Sequence, residues 1–182
     1  MSATAPATLE GTWAFDPIHS SASFLVRHMV VSTFRAGFKQ IDATLEVEGD
    51  DLRLTGTVPA ESVDIEQADL RGHLLSPEFF DVANTPNIEF ASTSVRRADD
   101  DTVAIEGELT IRGVTRPVSA TGTLTGPVAD FTGADRIGVA LETIVDRTAY
   151  GLNWNAPLPK GGFAVANDVT LAVHLEFVRQ EA

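Results

Sequence analysis

A chain of 182 residues with 43% hydrophobic composition suits one domain with a sizeable core rather than two small ones. Thirteen basic against twenty-six acidic residues leave a formal charge of -13, which opposes binding to phosphate backbones and anionic membranes and sets nucleic acid aside as a partner. The absence of cysteine excludes disulfides, thiol nucleophiles and cysteine-ligated metals.

The opening stretch "MSATAPATLEGTW" has neither a basic start nor an apolar signal core, and no later run is long and uncharged enough to span a bilayer. The expectation is therefore a cytoplasmic protein without stable membrane insertion: a single domain over 1–182 whose first eight residues are disordered. Next comes "DPIHSS", Asp16 to Ser21, which holds the residue types of a Ser/His/Asp triad. Sequence neighbours rarely converge as a triad requires, and no strand-nucleophile-helix elbow surrounds the serines. The stretch reads instead as a turn in which Asp16 bonds nearby backbone and Pro17 fixes the bend. Phe24, Val26 and His28 then share one face, read as inward, where His28 is either a buried neutral histidine or a polar anchor for a ligand head group.

Phe34 and Phe38 lie on the even face, whereas Ile41, Ala43, Leu45 and Val47 lie on the odd one. A one-residue bulge near Gly37 to Gln40, where a sheet curls to close, would reconcile them. Residues 67–81, "QADLRGHLLSPEFFD", depart from strand periodicity. Leu70, Leu74 and Leu75 have helical spacing, and Ser76-Pro77 reads as a cap and first-turn proline of a second short helical piece. Leu74, Leu75, Phe79 and Phe80 then face one way, as a plug or wall for an interior, with His73 beside Arg71 on the same segment.

"RRADDD" at 96–101 reads as a solvated hairpin tip. Beyond it, Val103, Ile105, Leu109 and Ile111 alternate with polar residues, as do Val118, Ala120, Gly122 and Leu124, with "RGVTRP" reversing the chain between them. "RIGVALETIV" alternates likewise, and the last run places Val165, Val169, Leu171, Val173, Leu175 and Phe177 on one face. Between these two, "DRTAYGLNWN" reads as a loop in which Arg147 pairs with Asp146 while Tyr150 and Trp154 cover a barrel mouth; the other reading lets the Arg147 fork grip a phosphate or carboxylate head group. "PKGG" at 159–162 lacks the rest of a phosphate loop and is a turn. His19, His28, His73 and His174 show no metal-ligand spacing, so no metal and no cofactor are assigned.

Antiparallel runs joined by short turns, with no βαβ alternation, point to an all-β fold: an up-and-down or meander barrel of about eight strands with a short helical insertion near 67–81, its interior able to hold one small ligand. A filled sandwich is the alternative.

Several stretches, in this order across residues 13–177, carry a resemblance: "WAFDPIHSSASFLVRHM", "HLLSPEFFDVANTPNIEFAST", "GELTIRGVTRPV", and "DRTAYGLNWN" with "ANDVTLAVHLEF". Together they resemble the YceI-like family of polyisoprenoid-binding-like proteins. The resemblance implies an extended, lipocalin-like antiparallel β-barrel that holds a polyisoprenoid or an amphiphilic fatty-acid derivative, with no catalytic activity general to the family. Trp13, Asp16, His19, Ser20, Phe24 and His28 match its opening motif and first inward strand. His73, Leu74, Phe79, Phe80 and Asp81 match its helical motif, and Arg147 and Gly151 its later loop. The chain departs where Leu70-Arg71 stands for the usual Arg-Asp, and where Asp146 stands for a common asparagine.

The resulting expectation is a non-enzymatic carrier or sequestering protein for a long apolar ligand. Phe24, Phe34, Phe38, Leu74, Phe79, Phe80 and Phe90 line the cavity, His28, His73, Arg71 and Arg147 meet the head group, and Tyr150 completes the ligand-binding set. One rival is a hydrolase or isomerase with His28 or His73 as general base; the other is a packed barrel that acts as an interaction module. A homodimer is compatible with each.

Overall fold

The computed structural model describes residues 8–98 and 100–180. The disorder expected for residues 1–8 falls, Thr8 apart, outside them. The alternating runs form nine antiparallel strands: β1 (Gly11–His28), β2 (Ser32–Gly37), β3 (Asp42–Glu48), β4 (Asp51–Pro59), β5 (Asn87–Arg97), β6 (Thr102–Ile111), β7 (Val114–Ala129), β8 (Asp135–Asp146) and β9 (Val165–Arg179). From β3 onward each strand pairs with the next, and β9 closes the ring on β1 from Trp13↔Arg179 to His28↔Val165. β2 pairs with residues 23–28 of β1, and β3 with residues 11–13 along the same edge. The two therefore share one place in the ring, which gives a closed eight-stranded antiparallel barrel with one extra strand.

That sharing corrects the bulge expected near Gly37 to Gln40. The phase of the apolar side chains changes there because β2 ends and the chain breaks off its pairing with β1 before resuming it, as β3, at the other end of that strand: Phe38 forms a bridge with Val63, and the Lys39 amide donates to the Ser62 carbonyl at 2.8 Å. A new strand then begins at Asp42 with its own register. The irregularities in β1 pairing lie instead at Asp16–Ser21 and Val26–His28.

A 3-10 turn at Ala60–Ser62 and helix α1 (Ala68–Leu75) fill the connection from β4 to β5. The Gln67 side chain caps α1 by accepting from the Leu70 amide. The expected second helical piece after Ser76-Pro77 is a run of turns. The Phe79 and Asp81 amides both donate to the Ser76 carbonyl, and Asp81 enters the left-handed region at φ 51°, which ends propagation after one turn. Leu74, Phe79 and Phe80 are nevertheless buried, as the apolar spacing requires, while Leu75 is half-buried.

Two clusters fill the barrel. Trp13, Leu45, Leu54, Ile105, Leu124, Ile137, Val139 and Phe177 pack the end nearest the chain termini. Phe24, Leu74, Phe79, Phe80, Leu109, Ile111, Val145, Tyr150 and Leu152 pack the half beneath α1 and the β8–β9 connection. Phe90 packs against both. Its ring lies over Gly107, where an added Cβ would come within 2.6 Å of the ring, so the missing side chain makes room for it.

Candidate functional site: an apolar barrel cavity

A cavity of about 540 Å³ runs along the barrel interior, inside the range of small-molecule sites. Its wall is overwhelmingly apolar. β9 alone contributes Val165, Val169, Leu171, Val173 and Leu175, its inward alternate positions. Ten residues of strand at roughly 3.3 Å each, tilted by about 40°, give the lined depth as about 25 Å, so the space is long rather than round.

Aromatic rings form one side. Phe24 lies 6.2 Å from Phe34, 5.9 Å from Phe38 and 6.5 Å from Phe80, all tilted or edge-on. On the other side Phe79 lies 5.5 Å from Trp154, and the His73 ring stands edge-on to both at 4.9 and 4.7 Å. Phe24, Phe34, Phe38, Leu74, Phe79, Phe80 and Phe90, expected from the sequence as wall residues, border the cavity, and so do His28, His73 and Arg147. Trp154 and the inward positions of β8 and β9 line it too. Their alternation was legible, but it reads equally as filled core.

Three polar expectations change. His28 lies exposed at the rim instead of buried, so it can meet a ligand only at the mouth. Arg71 lies off the cavity wall and donates to the Glu61 carbonyl at 2.6 Å, which ties α1 to the preceding 3-10 turn. Tyr150 is buried in the mouth-side core behind the wall, where burial pushes its phenol up.

Arg147 departs further. It is 5% exposed, and its guanidinium donates to the carbonyls of Ala166 at 2.8 Å, Leu152 at 2.5 Å, Trp154 at 2.9 Å and Val165 at 3.4 Å. Asp146 does not pair with it; that carboxylate accepts from the Thr148 amide and hydroxyl, capping the 3-10 turn Arg147–Tyr150, and is held below its ordinary range by those bonds. The fork meant for a head group is thus occupied by its own loop. Arg112 and Arg116 behave alike: Arg112 donates to the Pro77 and Gly151 carbonyls, and Arg116 to that of Ala149. Arginine-to-carbonyl bonds staple the mouth, each charge-assisted and stronger than a neutral pair.

His73 is the polar group best placed at the wall. Its Nε2 lies 2.8 Å from a Glu78 carboxylate oxygen while its ring borders the cavity. Asp42, Glu89 and Glu142 border the cavity from positions whose side chains are exposed.

The profile of the YceI-like domain matches residues 13–177. The chain belongs to the YceI-like family. A UPF0312 protein of Staphylococcus aureus (strain MSSA476) is 30% identical over 172 residues, covering 91% of this chain and 96% of its own. Among solved structures, BcnA of Burkholderia cenocepacia superposes with a TM-score of 0.74 at 20% identity, covering 89% of this chain and 98% of its own. A polyisoprenoid binding domain from Saccharophagus degradans superposes with a TM-score of 0.71 at 12% identity, covering 92% and 98%. The YceI-like barrel is thus shared at identities where only the fold carries over.

The "DPIHSS" motif of this YceI-like chain is structural. Asp16 accepts from the Ile18 and His19 amides at 3.0 and 3.3 Å, as the turn reading requires. Ser20 Oγ donates to the Asp16 carbonyl and accepts from the Glu176 amide, so it faces no histidine as a nucleophile would. Asp16, His19 and Glu176 come close enough to suggest a cation site, but Arg136 donates to Asp16 at 2.9 Å, to Glu176 at 2.6 Å and to Asp130 at 2.7 Å and supplies the positive charge itself. His19 and Arg136 hold the Asp16 carboxyl down at about 2, and Asp16 raises His19 in return.

Proposed function

We propose that the barrel binds and carries, or sequesters, a long apolar ligand of polyisoprenoid or fatty-acyl type, chain inward and polar end at the mouth near His73 and His28. The observation that carries this reading is the long apolar cavity lined by strand-inward residues. The likeness to a domain described as polyisoprenoid-binding supports it. A packed interaction module would have no such space. An enzyme needs a positioned acid or base beside the reacting atom, and on the described wall the histidine-carboxylate pair is His73 with Glu78, whose Glu78 side chain is exposed to solvent. The reading is therefore of a binding protein.

Native mass spectrometry of the purified protein, followed by organic extraction and lipid mass analysis, tests it. A stoichiometric isoprenoid or acyl compound is the expected result. Empty protein that takes up neither isoprenoids nor fatty amides overturns the carrier reading.

A further inference from the structure

The β1–β2 turn is built from residues that such a turn disfavours. The Val31 amide donates to the His28 carbonyl at 3.2 Å, and Met29 and Val30 occupy φ 51° and 65°. Two-residue hairpin turns with positive φ at both central positions favour Asn-Gly, and a β-branched residue there is strained. Here the positions hold Met-Val, followed by a second valine, and all three side chains face solvent, with Val30 64% and Val31 82% exposed.

The turn is not isolated. The Met29 amide donates to the Ala164 carbonyl at 2.8 Å, and Val30 Cγ2 lies 3.8 Å from the place a Cβ on Gly162 would occupy. The second loop is a tight reversal, bridged at Pro157 and Phe163, whose Phe163 is 61% exposed. His28, Met29, Ala156 and Ala164 all line the cavity, so the exposed tip is continuous with its wall.

Charge is distributed to match. The segments at the mouth end, residues 27–39, 60–86, 111–116 and 146–168, carry eight basic and eight acidic residues. The formal charge of -13 is therefore carried by the other segments, the acidic β3–β4 turn at Glu48 to Asp51 at the opposite end among them. Within the tip itself, residues 27–32 and 156–164 hold Arg27 and Lys160 and no acid.

We propose that this tip, Met29-Val30-Val31 with Phe163, docks the mouth onto the interface of a phospholipid bilayer, so that an apolar ligand passes between membrane and cavity without crossing water. Valine and phenylalanine enter the boundary between head groups and acyl chains, while Arg27 and Lys160 remain at head-group level. Charge at the far end turns that end away from the surface. The docking stands on the tip alone; its role in ligand transfer rests on the carrier reading.

The test is co-sedimentation of the full chain with phosphatidylcholine vesicles, comparing wild type with a Val30→Asn/Val31→Ser/Phe163→Ser variant. Asparagine tolerates the left-handed position better than valine, so the variant keeps the turn, and circular dichroism checks its fold. The expected result is a loss of vesicle binding of about ten-fold or more. Phe131, fully exposed on the β7–β8 turn at the far end, serves as control, and Phe131→Ser leaves binding unchanged. Wild type that ignores the vesicles, a variant that binds them equally, or a concentration-dependent dimer that the variant abolishes overturns the docking. A dansyl-tagged farnesyl probe separates the two readings: delivered from cyclodextrin, it reports the cavity alone and binds wild type and variant equally. Vesicle binding without probe binding overturns the carrier reading and leaves the docking standing; probe binding without vesicle binding does the reverse.

Discussion

Arg147 borders the cavity, yet its guanidinium is bound to the carbonyls of its own loop. Burial lowers the pKa of its guanidinium, yet it remains charged, because four backbone carbonyls replace the lost water. Those carbonyls belong to the β8–β9 connection and the start of β9, so one residue fixes the loop that carries Leu152 and Trp154 to the cavity. Arg147→Leu should destabilise the protein by about 2–4 kcal/mol in urea denaturation, the unmet carbonyls outweighing the relief of no longer burying a charge. Arg147→Lys should recover little of this, since an ammonium cannot reach four acceptors spread around a planar fork. A head-group contact would give the opposite pattern: unchanged stability with weakened binding. The position was legible as important from the aspartate-arginine pair and the aromatics after it. Its partners were not, because they are carbonyls whose places exist only once the loop has closed.

At the scale of elements, side-chain alternation gave the faces of nearly every strand, because period two follows from the pleat alone. It could not say which edge pairs with which. The change of phase between Phe38 and Ile41 was visible in the sequence, but a bulge and a transfer from β2 to β3 leave the same trace in one strand, and only partner strands distinguish them. Likewise Ser76-Pro77 reads as a helix start, but Ser76 closes the C-terminal end of α1 and only turns follow it, because the left-handed Asp81 is a local backbone choice that no side-chain spacing announces. The irregularity that does interrupt β1, at Asp16–Ser21, is held by Arg136 across three carboxylates from three elements. Its pH dependence follows from sign. Asp16 falls from its ordinary 3.8 to about 2, so its contribution is whole above pH 3.8 and is lost as pH falls toward 2. Asp130, lowered by Thr132 and then Arg136, acts in the same direction. His19 is raised, so the smaller contribution of that exposed group is present in acid and lost as pH climbs through its folded value. Thermal melts across pH should therefore show wild type losing stability below pH 4 more steeply than Asp16→Asn, which starts lower and stays flatter; parallel curves would remove the network from the account.

For the whole molecule, composition and alternation pointed to a closed barrel, but not to whether it is full. Burying a phenylalanine contributes roughly 1.5–3 kcal/mol whether its neighbour is protein or ligand, so the sequence pattern of a cavity wall and that of a core coincide. Phe90 shows the ambiguity in one residue, packed into the closed-end core while bordering the cavity. The energetic signature of an open interior lies in the response to occupancy. An apolar wall facing empty space has forgone contacts that a bound chain restores, and any ligand bound only by the folded state stabilises it by mass action. At a free concentration one hundred times its dissociation constant, a ligand of one site adds about 2.7 kcal/mol, which for a domain of this size raises the melting temperature by about 5–10 °C. Delipidated protein titrated with a farnesyl or fatty-amide ligand should follow that rise in differential scanning calorimetry. Phe79→Ala or Phe24→Ala should lower the unliganded melting temperature and also weaken the concentration dependence. A ligand that binds measurably yet moves the transition equally in wild type and both variants would lie somewhere other than between these rings.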